Sequence, residues 1–98
     1  MACFPSIARM DETVGRDALK LFGAKLAELR KRRGWSQEKL SLESGIARSY
    51  VGEVERGQRN IAVVNICRLA ESLGVKPYVL LDFDGDLPIK VGRPSEQG

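Results

Sequence analysis

The chain has 98 residues, 43% of them hydrophobic and 30% charged, with a formal net charge of +3: one domain's worth of sequence, able to bury a core without disulfides. No apolar run approaches the roughly 18 residues of a membrane span. There is no histidine, and Cys3 and Cys67 stand far apart, so a zinc site, a histidine base or any other catalytic centre is not expected.

Charge is distributed unevenly. From Arg16 to Leu81 there are thirteen Lys and Arg against seven Asp and Glu, whereas both flanks are net acidic. A central segment more basic than the whole is what a polyanion binder needs, although a solvated basic face has the same composition. Met1 to Met10 lacks the basic-then-apolar order of a secretory signal, which places the protein in the cytoplasm.

Residues 1–16 show no sustained periodicity and read as a loose N-terminal arm. A first helix follows, capped by Asp17, with Leu19, Phe22, Leu26 and Leu29 on one stripe. The run Arg30-Lys31-Arg32-Arg33 suits its negative C-terminal end, and Gly34 stops it. Ser36 is a good cap for a short helix from Gln37 to Ser44, with Leu40 turned to the core. Gly45 breaks it, and a third helix, Arg48 to Arg56, turns Val51 and Val54 inward and its polar residues outward. The loop Gln58-Arg59-Asn60 leads to a fourth helix, Ala62 to Leu73, whose apolar stripe is Ile66, Leu69, Ala70 and Leu73, with Cys67 read as a small buried hydrophobe. Pro77 opens a fifth helix through Leu81. The tail 82–98, rich in Asp, Gly and Pro, reads as extended, with Leu87 to Val91 able to form a short edge strand. The fold expected is all-α: a compact five-helix domain over 17–81, flanked by arm and tail.

Function is carried by Ser36 to Gly57. Two short helices joined by a tight glycine turn cross steeply, so that the second protrudes while the first braces it. A protruding polar helix fits the major groove of duplex DNA, although the spacing alone is also that of a generic helical hairpin. The stretch resembles the phage repressor and Cro-type helix-turn-helix group (XRE-like), through Leu29-Arg30, Gly34-Trp35-Ser36-Gln37, Gly45 and Leu73-Gly74-Val75. The segment Ser49 to Ile61 is similar, more narrowly, to the controller proteins of restriction–modification systems. Two positions depart from the group: Ser41 stands where Ala is usual, and Ala47, a poor cap, precedes the recognition helix.

The resemblance implies a transcriptional regulator that binds operator DNA as a homodimer. It assigns Gln37 to a phosphate and brings Arg59, Asn60 and Asn65 to the backbone or adjacent bases. From its place at the tip of the recognition helix, Arg48 is expected to read guanine through O6 and N7. Ser49 is expected to reach a base or phosphate, and Tyr50 either packs on the sugar-phosphate edge or closes the core. Glu53 either accepts from cytosine N4 or, the reading preferred, holds Arg48 or Arg56 in place, because an unpaired carboxylate facing DNA is costly. Phe22 and Trp35 are expected in the core. Tyr78, Val79, Leu80 and Leu81 exceed what a short terminal helix needs for its own burial, and are expected to pair two copies about a two-fold axis. The operator should then be an approximate palindrome. No cofactor, metal, small-molecule ligand or membrane partner is expected. The alternative is an antitoxin-type interaction module that neutralises a toxin and autoregulates its operon, suggested by the acidic tail.

Overall fold

A computed structural model describes the backbone of residues 5–83 and the side chains of residues 15–83. Five helices follow in order: α1 (Pro5–Arg32), α2 (Gln37–Ser44), α3 (Arg48–Glu55), α4 (Val63–Leu73) and α5 (Pro77–Leu80). Among the described residues there is no strand. The expected Leu87–Val91 strand and the acidic tail from residue 84 onward lie outside them.

The largest departure from expectation is α1. Asp17 does not cap it; the helix reaches back to Pro5 and takes in most of the segment read as a loose arm. Proline at a first helical position already has a helical φ. Once residues 17–32 are nucleated, each added residue contributes a hydrogen bond without a new nucleation cost, so no core-facing stripe is required.

The core is a single apolar cluster. Phe22, Leu26 and Leu29 of α1 meet Leu40 of α2, Val51 and Val54 of α3, and Leu69, Ala70 and Leu73 of α4. Ile46, in the turn after α2, completes the middle of it. Apart from Ala70, each such side chain contributes roughly 1.5–3 kcal/mol through its removal from water. Leu19 is half-buried, and Trp35 packs against the cluster from its edge. Cys67 is exposed rather than buried. It lies about 100° around α4 from Ile66, off the stripe that continues through Leu69, Ala70 and Leu73.

Leu80 also corrects the sequence reading. It is fully buried in the core of the single chain and does not belong to an exposed pairing face. A one-turn helix directs one residue inward, and Leu80 is that residue; Tyr78 at 70% and Leu81 at 52% exposure remain outside, with Val79 half-buried. Phe83 packs edge-on against Phe22, ring centroids 6.3 Å apart, and so secures the chain just after α5.

Gly23 was not singled out by its sequence context, yet it sets how closely α1 approaches α3. A Cβ there would overlap the carbonyl oxygens of Val54 and Glu55, lying 2.6 Å from the latter. Both obstacles are backbone and cannot swing away. Gly15, in the same helix, would place a Cβ in open space. The two glycines should therefore respond in opposite directions to alanine. Gly23→Ala is expected to lower stability by about 2 kcal/mol or more through overpacking, while Gly15→Ala raises it by roughly 0.5–1 kcal/mol. Thermal unfolding of the two variants beside the parent checks this.

Candidate nucleic-acid interface

The interface is built around a turn. Ser36, in extended conformation, caps α2 by accepting the Lys39 N–H at 3.0 Å. At the other end Gly45 takes the left-handed conformation (φ 74°) that a side chain would resist, and its N–H donates to the Ser41 carbonyl. Ser41, the departure from the usual Ala, has a purpose of its own: its hydroxyl donates to the Ile46 carbonyl at 2.5 Å and so ties the turn to α2. Ala47 leads into α3 without a side-chain cap, as its chemistry requires. With Val51 and Val54 directed inward, Arg48 and Ser49 stand exposed on the first turn of α3.

Behind this turn lies a polar tie. The Arg30 guanidinium clasps the Glu55 carboxylate by two bonds, Nε to Oε2 at 2.7 Å and NH2 to Oε1 at 3.0 Å. These side chains are only 11% and 6% exposed. The third nitrogen, NH1, donates to the Trp35 carbonyl at 2.8 Å, and Gln37 Nε2 donates to Glu55 Oε1 at 2.8 Å. Thus the end of α1 and the first residue of α2 share one carboxylate on the last residue of α3, and the guanidinium reaches on to the approach to α2. A Cβ at Gly52 would sit 3.4 Å from Gln37 Oε1, an ordinary contact distance, and 3.2 Å from Arg56 NH1, the far end of an exposed side chain.

A second, more open cluster follows α3. Arg59 Nε donates to Glu53 Oε1 at 2.7 Å, and its guanidinium carbon lies 5.1 Å from the centre of the Tyr50 ring. The hydrogen bond to Glu53, then the charge of that carboxylate, raises the Arg59 pKa still further, so this cation persists at any working pH. Asn65 Nδ2 donates to the Tyr50 hydroxyl at 3.2 Å, which in turn donates to the Asn60 carbonyl at 3.4 Å. Asn60 Oδ1 accepts the Ile61 N–H.

Residues 26–80 match the family described as Helix-turn-helix. The chain belongs to this family. The control protein C.BamHI of Bacillus amyloliquefaciens is 44% identical to this helix-turn-helix protein over 64 residues, covering 64% of this chain and 79% of that protein. The restriction-modification controller protein C.AhdI from Aeromonas hydrophila superposes with a TM-score of 0.63 at 55% identity, over 63% of this chain and 94% of its own. The master regulator for biofilm formation SinR, matched also as the Bacillus subtilis protein at 30% identity over 74 residues, has a structure in complex with DNA. It aligns at 29% identity and a TM-score of 0.60, over 62% of this chain and 98% of that one.

Tyr50, Glu53, Arg59, Asn60 and Asn65, chosen separately from the sequence, are thus one connected group in this helix-turn-helix protein. One assignment changes. Glu53 holds neither Arg48 nor Arg56; it binds Arg59, and Arg56 Nε instead donates to Gln58 Oε1 at 2.9 Å. In the basic run at the end of α1, expected to suit the helix's negative C-terminal end, three arginines also take specific partners. Arg30 is committed to Glu55, Arg32 pairs with Glu28, and Arg33 donates to the Leu73 carbonyl at 2.9 Å while stacking 4.5 Å from the Trp35 ring centre. Glu55 and Ser41 escaped the sequence reading as functional positions, since no local spacing links Glu55 to Arg30, 25 residues away. Val63 and Val64, 73% and 62% exposed at the start of α4, were likewise not anticipated as surface residues.

The tie predicts an asymmetry. Glu55→Ala strands a mostly buried guanidinium and should cost about 3 kcal/mol. The double variant Arg30→Met, Glu55→Leu, which removes both charges, should recover most of that loss in urea unfolding. A double variant less stable than Glu55→Ala would show that the tie contributes more than mutual neutralisation.

Proposed function

We propose that this protein is a sequence-specific DNA-binding transcriptional regulator of the restriction–modification controller type, acting as a homodimer on a palindromic operator. The observation that carries the reading is the exposure of Arg48 and Ser49 on the first turn of α3, whose last residue is tied to Gln37 at the start of α2. The controller names of C.BamHI and C.AhdI and the DNA complex of SinR support it. In this reading α3 enters the major groove and Arg48 bonds guanine O6 and N7. Ser49 and Tyr50 line the approach to the sugar-phosphate edge. Gln37 stands at the start of α2, where unpaired backbone N–H groups and the helix dipole favour a phosphate. Arg59, Asn60 and Asn65 meet the flanking backbone.

No enzymatic chemistry enters this reading, and no cofactor or small-molecule ligand. Among the described residues no group of three His, Cys, Asp or Glu could hold a metal, and no helix is long and apolar enough to cross a membrane. We place the protein in the cytoplasm beside its DNA. One helix-turn-helix contacts few base pairs, so useful specificity calls for two, about 34 Å apart on successive major grooves. Tyr78, Val79 and Leu81 supply a pairing surface, without the buried Leu80. Coupled dimerisation and DNA binding would make regulation depend on protein concentration.

Two experiments test this. On a duplex selected from a random library, Arg48→Ala should cost about 1–3 kcal/mol and relax discrimination at one base pair, whereas Gln37→Ala weakens binding to all duplexes alike. Equal, sequence-blind effects of the two would misplace the recognition helix. In sedimentation, Leu81→Glu should raise the dimer dissociation constant by about tenfold or more, with its melting temperature nearly unchanged because Leu81 is already half exposed. A wild type that stays monomeric both free and on the selected duplex would refute the dimer.

A further inference from the structure

The Glu53–Arg59 pair presents a carboxylate on the outer side of the recognition helix, where a polyanion is to bind. Its side chains are 36% and 50% exposed, so burial does not account for it. Both ends of Glu53 hold the segment that carries Arg59. Its backbone carbonyl accepts the Gln58 N–H at 2.8 Å, closing the turn after α3, and its carboxylate takes the Nε edge of Arg59. The Tyr50 ring lies against the guanidinium, and that ring is itself held through its hydroxyl by Asn65 and Asn60. With Nε engaged, NH1 and NH2 remain, the pair of donors suited to two acceptors on DNA.

We propose that Glu53 is a positioning residue that presets Arg59 for DNA, sharpening sequence discrimination while neutralising one positive charge at the interface. This rests on the DNA-binding reading above. An arginine on a loose loop reaches many phosphates equally well and binds any sequence. Held by its Nε edge and one ring face, it is confined to a narrow range of approaches, and less side-chain freedom is lost on binding. The alternative, in which Glu53 accepts directly from cytosine, would require Oε1 to leave Arg59 and the carboxylate to face DNA without its cation.

The two roles separate in a double-mutant cycle on the full chain. The probes are a duplex selected from a random library by the wild type, its single-base-pair variants, and a scrambled duplex. Glu53→Ala should bind the scrambled duplex several-fold more tightly, with a salt dependence steeper by about one phosphate contact, a slope change near 0.9. Its preference for the selected duplex should fall by about tenfold, within the range of a single side-chain readout. Glu53→Gln, which retains an acceptor for Nε without the charge, should fall between the two. In an Arg59→Ala background Glu53→Ala should still tighten scrambled-duplex binding, by removing an unpaired carboxylate, but should leave the preference for the selected duplex unchanged. Thermal unfolding of each variant serves as the folding control, and a merely structural role would move it without altering discrimination. Unchanged discrimination in folded Glu53→Ala and Glu53→Gln would overturn the proposal, as would an equal loss with and without Arg59. A wild type that selects no duplex would instead bring down the DNA-binding reading and this proposal together.

Discussion

The geometry of this protein depends on one buried carboxylate. Glu55, at the end of α3, accepts two bonds from Arg30 and one from Gln37, and Arg30 reaches on to the Trp35 carbonyl. A charge pair at this depth adds little net stability over a well-packed apolar replacement, because both ions lose their water. What it supplies is direction: a guanidinium and a carboxylate satisfy one another in few orientations, whereas leucine against leucine tolerates many. The pair therefore sets the relation among α1, α2 and α3, and with it the angle at which the exposed face of α3 leaves the domain.

The apolar contacts work to the same end from the other side. Gly23 allows α1 to meet the last turn of α3 backbone against backbone, next to Glu55 itself. Ser41 and Gly45 fix the turn between α2 and α3. In a domain of this size the buried fraction of surface is modest and stability is marginal. Precise local closure at a few points then matters more than added core volume.

Outside this frame, the Tyr50–Glu53–Arg59–Asn60–Asn65 group is joined by bonds that stand more open to solvent. Its bonds are single and partly solvated, so each contributes little to folding. In the DNA-binding reading proposed above, they limit where the side chains point before DNA arrives, which would reduce the ordering cost of recognition. The apolar residues of α5 divide in a similar way: Leu80 is buried within the single chain, while Tyr78 and Leu81 stay exposed and form the pairing surface proposed above.

Much of this was written plainly in the sequence. Apolar residues at helical spacing, with Ser36, Gly45 and Pro77 as punctuation, place α2 through α5 to within a residue, because capping and periodicity are local properties. The turn and the exposure of Arg48 follow from the same pattern and from resemblance to known helix-turn-helix proteins. Tertiary structure alone decided the pairings across distance: Glu55 with Arg30, Arg33 with the end of α4, Glu53 with Arg59 rather than with a neighbour on its own helix. It also decided that Leu80 faces in and Cys67 out, and that Gly23 is a contact point. Spacing along the chain specifies which face of a helix a residue occupies, but its partner depends on how whole helices cross, and that is settled only when every face is buried at once.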